Sequence, residues 1–99
     1  MVTEIENFYF KPTQYILSQN YPNPFNPSTT IEFTLPRSEN TTLKIYNILG
    51  AEITTIVSAK LQAGVHKYEF HSSNLASGVY YYKIEAGNFI QIHKMIYLK

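Results

Sequence analysis

The sequence predicts an all-β fold, an antiparallel β-sandwich of about seven strands. Three observations carry that expectation. Apolar residues recur with a period of two in one segment after another, and turn residues separate these segments at short intervals. In addition, nine tyrosines and six phenylalanines supply the flat amphipathic rings that suit a pleated, half-buried surface. No stretch reads as a helix.

Residues 1–14 read as a linker or N-terminal arm, with a short aromatic burst ending at Lys11-Pro12, where proline removes an amide donor. The domain proper is expected over residues 15–99, starting with a short strand near Tyr15 to Gln19. "NYPNPFNPSTTIEF" follows. Pro22, Pro24 and Pro27 fix their own backbone angles and bias the residues before them to extended geometry, which makes a stiff corner. Tyr21 and Phe25 are expected to anchor this corner on the sandwich, while Asn20, Asn23 and Asn26 satisfy nearby backbone groups. From Thr29 the alternation is clean: Ile31, Phe33 and Leu35 point one way, Glu32 and Thr34 the other, until Pro36.

"TTLKIYNILGAEITTIV" places Leu43 and Ile45 on one face, turns at Asn47 to Gly50, and resumes with Ala51, Ile53 and Thr55. Gly50 supplies the left-handed residue that ends such a turn, so it is a backbone requirement and not a binding glycine. A second turn ends at Gly64, after which His66, Tyr68 and Phe70 share the core face. "HSSNLASG" is long enough to cross between sheets. "VYYYKIEA" and "FIQIHKMIYLK" then form a hairpin about Gly87-Asn88.

"LASGVYYY" narrows the sandwich to an immunoglobulin-like one. Tyr80 stands where such folds carry a corner tyrosine bonded back to the preceding loop, and Tyr82 stands where antibody domains place a disulfide cysteine. An aromatic ring is therefore expected to fill the space between the sheets. The last strand is unusual, because Ile90, Ile92, Ile96 and Leu98 share one parity while Met95 and Tyr97 share the other. A bulge near His93 or Lys94 is the favoured explanation; a docking handle covered by another protein is the alternative.

Composition excludes more than it suggests. Ninety-nine residues make one domain with one core. A net charge of +1 offers no basic stripe, so nucleic acid is not an expected partner. The absence of cysteine removes disulfides, thiolate chemistry and zinc–thiolate sites. Neither a signal-peptide pattern nor an apolar run able to span a bilayer occurs, so no membrane insertion is expected: as a free-standing product the chain would look cytosolic, and as the tail of a longer chain it could be exported. A monomer is expected.

His66, His71 and His93 lie in no metal-ligand spacing and are expected at the surface; the chain has no aspartate for a calcium loop or a triad. Ala76-Ser77-Gly78 is a corner, not a nucleophile elbow, and Glu52, Glu69 and Glu85 are expected to face solvent. No catalytic, cofactor or metal residue is assigned. Tyr81 faces away from Tyr80 and Tyr82, and a sugar platform would need Tyr46 or Tyr97 beside it.

Taken in order, "LSQNYPNPFNPSTTIEFTLP", "LKIYNILGAEI", "LQAGVHKYEF", "LASGVYYYKIEAG" and "KMIYLK" resemble the type A C-terminal sorting domain of the type IX secretion system of Bacteroidetes. The resemblance covers about residues 15–99 and extends to the flagellar hook-capping immunoglobulin-like module. It implies a non-catalytic tail that addresses a larger N-terminal cargo through the periplasm to the outer-membrane translocon. A sortase-like peptidase then commonly removes the tail, attaching the cargo to the cell surface or releasing it. Carried onto this sequence, the family's positions are Pro22, Pro24, Phe25, Asn26, Pro27, Gly50 and Gly64 as structure. Gly78, Tyr80 and the run Lys94, Met95, Ile96, Tyr97, Leu98 and Lys99 are the candidate translocon-recognition residues. The rival readings are a passive immunoglobulin-like spacer or adhesion module, and a small carbohydrate-binding module.

Overall fold

Alternation in Ser28–Leu35 (β2) translates directly into burial: Thr29, Ile31, Phe33 and Leu35 are buried, and the residues between them are half-exposed. The computed structural model describes residues 12–99, so the N-terminal part of the expected arm lies outside the described residues. Its strands, in chain order, are β1 (Ile16–Leu17), β2, β3 (Glu39–Tyr46), β4 (Glu52–Leu61), β5 (Gly64–His71), β6 (Gly78–Ala86) and β7 (Phe89–Tyr97). The first strand is thus shorter than expected.

Two antiparallel sheets result, one in the order β1-β2-β5 and the other in the order β4-β3-β6-β7. With β2 beside β5, β3 beside β6 and β6 beside β7, this is the crossing order of an immunoglobulin-like sandwich; β4 flanks β3 instead of joining β5. The segment from Ser72 to Ser77 carries the chain from one sheet to the other. Inner faces meet in one core, where Phe33 stacks on Tyr68 and His66 at ring-centroid distances of 5.9 and 5.4 Å.

Tyr82 performs the task expected of it. Its side chain is fully buried between the sheets, and its hydroxyl donates to Ser18 O (2.6 Å) and accepts from Asn20 N (2.8 Å). The hydroxyl of β6 thereby ties the chain around β1 to the opposite sheet, where a cross-link would sit in an antibody domain. Tyr80 donates to Ala76 O at 2.6 Å, which is the corner bond predicted from "LASGVYYY". At the β3–β4 turn, Asn47 Oδ1 accepts from Leu49 N and Ala51 N, and Gly50 has φ +85°, a conformation that disfavours a side chain.

Two expectations fail. No bulge interrupts β7: its register with β6 runs without a shift from Gly78 opposite Tyr97 to Ala86 opposite Phe89. The two-sided apolar pattern is therefore real, with Met95 and Tyr97 in the core and Ile90, Ile92, Ile96 and Leu98 on the outer side. The bulges lie in the β3–β4 pairing instead, between Leu43 and Lys44 and between Ile45 and Tyr46. Nor is His93 a surface residue; it shares the inner parity, its ring lies against Tyr82, and its Nε2 donates to Leu17 O at 2.8 Å. His71 is exposed and near Glu69, as expected, while His66 is half-buried on Phe33.

Tyr82→Phe leaves two backbone groups without their partner and is expected to cost about 2–4 kcal/mol in urea unfolding, whereas Tyr80→Phe costs about 1 kcal/mol, because Ala76 O can turn to water. Burial pushes the Tyr82 hydroxyl up from 10.0 to about 12. A raised folded-state value means the contribution is complete below about pH 10 and drains away as pH rises towards 12. Absorbance titration should show a late-ionising tyrosine that is absent in Tyr82→Phe.

Candidate recognition surface

The proline-rich corner and the terminal strand, distant in sequence, form one structure. Phe25 N donates to Ile96 O (2.9 Å) and Leu98 N donates to Phe25 O (3.2 Å), making a parallel bridge at Tyr97. Asn23 Oδ1 accepts from Ile96 N at 2.9 Å, and Gln19 Nε2 donates to Lys94 O at 2.8 Å. The chain from Leu17 to Phe25 thus runs along the free edge of β7 and occupies its backbone from Lys94 to Leu98, the groups an added strand would otherwise claim. Phe25 closes the end of the core, 2% exposed, against Phe70 at 6.1 Å and Tyr97 at 5.3 Å.

Around it the motif divides by role. Asn20 is buried and donates through Nδ2 to Pro22 O and Thr29 Oγ1. Tyr21 does not anchor the corner, being 80% exposed; its backbone pairs with Thr30 while its ring stands in solvent. Pro22, Pro24, Asn26 and Pro27 are exposed, and the peptide bonds before all three prolines are cis. Ser72 N and Oγ both donate to Pro27 O at 2.9 Å, fixing the corner to the inter-sheet crossing.

Of the residues expected to mark recognition, Tyr80, Met95 and Tyr97 are core, and Gly78 begins β6. Lys94, Leu98 and Lys99 are exposed and Ile96 is half-exposed; Lys99 N also donates to Ser77 Oγ at 2.9 Å. Gly50 and Gly64 sit at the β3–β4 and β4–β5 turns.

Cross-strand register places further residues on the outer face of the four-stranded sheet. Tyr46 is opposite Tyr81, which is opposite Lys94; one row on, Lys44, Lys83 and Ile92 align. Tyr46, Gly50, Tyr81, Lys83 and Ile92 line an apolar groove of about 330 Å³. Lys83 Nζ sits 5.4 Å over the Tyr46 ring and 3.4 Å from Glu85, and the Glu85 carboxylate first, then Tyr46, holds the ammonium above its usual range. Lys44 pairs with Glu52 at 3.4 Å; the Thr55 hydroxyl and then Lys44 hold the Glu52 carboxyl below the usual carboxylate range. Tyr46 is thus the second ring that a sugar platform would need, but a lysine already covers its face, and Tyr97 is buried away from it.

Among the described residues no three His, Asp or Glu side chains gather to hold a metal ion. The model of the family described as the secretion system C-terminal sorting domain matches residues 19–98. The chain belongs to that family. No curated protein matches it at a significant level. A sorting domain of this kind is a C-terminal signal for type IX secretion: it directs a cargo carried N-terminal to it out of the cell, and its family is in general non-catalytic. Sequence reasoning missed Tyr46, Lys83 and Ile92 as one cluster. Their alternation and the β6–β7 hairpin were visible, but that β3 lies beside β6 was not.

Asn23→Ala removes the side-chain acceptor of Ile96 N. Hydrogen exchange at that amide is expected to quicken roughly tenfold, with a smaller change at Leu98, whose partner is backbone.

Proposed function

We propose that residues 15–99 form a folded address, non-catalytic in this protein, with the preceding arm as the linker to the cargo. The translocon of the type IX system reads it from the periplasmic side. The observation that supports this reading best is the division of labour in β7: Met95 and Tyr97 hold the core, while Lys94, Ile96 and Leu98 stand on the outside in unbroken register. Apolar groups alternating with a cation on an outer strand face are an interaction surface rather than a solvated one. Upstream cleavage by a sortase-like peptidase, followed by surface attachment or release, completes the proposal.

Removing Lys94 to Lys99 would not test it, because the deletion also takes Met95, Tyr97 and the partners of Phe25 out of the fold. Outer-face substitution does. Fused behind a periplasmic reporter in a host that has the translocon, the whole chain is expected to move the reporter out of the cell. The combination Lys94→Glu with Leu98→Thr should retain most of it in the periplasm while the chain still melts cooperatively. Retention of the reporter by the unmodified chain would sink the sorting reading in favour of a passive spacer, and undiminished export of the variant would put the signal elsewhere on the chain than the outer side of β7.

A further inference from the structure

We infer that the signal is not confined to the last strand: the Tyr46–Tyr81–Ile92 groove on the outer sheet face is a docking pocket. It receives a large apolar side chain of the transport machinery, on a partner surface rimmed with carboxylates. The inference rests on the sorting reading and extends its site from the chain end to the centre of the sheet.

Four observations lead to it. The groove is small, about 330 Å³, with room for one or two anchoring side chains and not for an extended ligand. It is continuous with the exposed side of β7, because Ile92 belongs to both and is 56% exposed, with Ile90 beyond it at 59%. Strand addition is not available along Lys94 to Leu98, where the proline-rich corner already holds the edge, so side chains must do the reading there. Finally, the face has a sign. Lys44 and Lys83 pair with Glu52 and Glu85, and Lys60 and Lys94 on the same face are in excess of them, a surplus of positive charge on a chain that is nearly neutral. An apolar centre with a cationic surround selects an apolar anchor with an anionic surround, and the charges speed and orient the encounter more than they tighten it.

A sugar is the weaker occupant, because the Lys83 ammonium takes the ring face on which a sugar would stack. A second copy of the chain would set like charges against like.

The test uses the whole chain fused to the exported reporter, with Tyr81→Thr, Ile92→Thr, Lys83→Glu and Lys83→Arg, and Val65→Thr on the other sheet as control. Threonine keeps strand propensity on the outer face, so melting should shift little. Export is expected to fall about tenfold or more in the Tyr81→Thr, Ile92→Thr double variant, corresponding to about 1.4 kcal/mol of lost docking. It should fall in Lys83→Glu, survive in Lys83→Arg, and stay unchanged in Val65→Thr. Full export of the groove variants beside full export of the parent overturns the groove alone. Export lost only where the melt shows unfolding, with folded Lys83→Glu exported normally, overturns it too. A parent chain that is not exported overturns the sorting reading and this inference together. Glycan-array binding, or a dimer in sedimentation, that Tyr81→Thr abolishes without touching export overturns it in favour of that other occupant.

Discussion

The pairing of Phe25 with the terminal strand is the contact on which the rest of this domain depends. A sandwich with sheets ordered β1-β2-β5 and β4-β3-β6-β7 leaves β7 as an edge, with unpaired backbone along one side and an opening into the core behind it. One residue addresses both problems. Its backbone bonds Ile96 and Leu98, and its ring fills the gap between Phe70 and Tyr97. The neighbours extend the closure along the edge, with His93 bonded to Leu17 O, Gln19 to Lys94 O, and Asn23 to Ile96 N. Buried Tyr82 fastens the same stretch from inside through Ser18 and Asn20. A cysteine-free chain thus obtains from one ring, one phenol and a row of hydrogen bonds what related sandwiches obtain from a disulfide.

What the sequence disclosed follows the range of each interaction. Local patterns were legible: the alternation of Ile31, Phe33 and Leu35, the Asn47 to Gly50 turn, and the corner bond of Tyr80, because each depends on residues a few positions apart. So was Tyr82 as an inter-sheet filler, since its parity with Tyr80 fixes its direction. Illegible was anything set by which strands become neighbours beyond the β3–β4 and β6–β7 hairpins. "YPNPF" and "KMIY" are more than seventy positions apart, and nothing in either names the other; Asn23 read as a local turn residue because its partner, Ile96 N, is at the far end of the chain. The bulge assigned near His93 shows the same limit. Two-sided apolarity in a strand is explained locally by a register shift, yet the unshifted ladder places Ile90 and Ile92 outside. Tyr21 misled for a different reason: an aromatic beside prolines suggests an anchor, and only the direction of its ring, out of the sheet, says otherwise.

Alternation also explains why three of the expected recognition residues, Tyr80, Met95 and Tyr97, lie in the core. A strand on a sandwich gives every second residue to the core, so any contiguous run in β7 contains both kinds. Met95 and Tyr97 cannot meet a partner while the domain is folded, and Lys94, Ile96 and Leu98 can. The distinction assigns the family's terminal run to two jobs, and it moves attention sideways, to Tyr46, Tyr81 and Lys83 on the neighbouring strands.

A signal read from the face we propose would report on its own folding. Tyr46, Tyr81 and Ile92 come from three strands and share a face only after β3, β6 and β7 have paired in register. A single-residue slip of β7 would send Ile92 inward and bring Met95 out, exchanging the two sets of side chains at once. The proline-rich corner opposes that slip, because Asn23 and Phe25 hold Ile96 and Leu98 from the opposite edge and Phe25 fits only beside Tyr97. The stiff opening therefore fixes the register in which the outer side of the last strand, the side we propose the translocon reads, is presented.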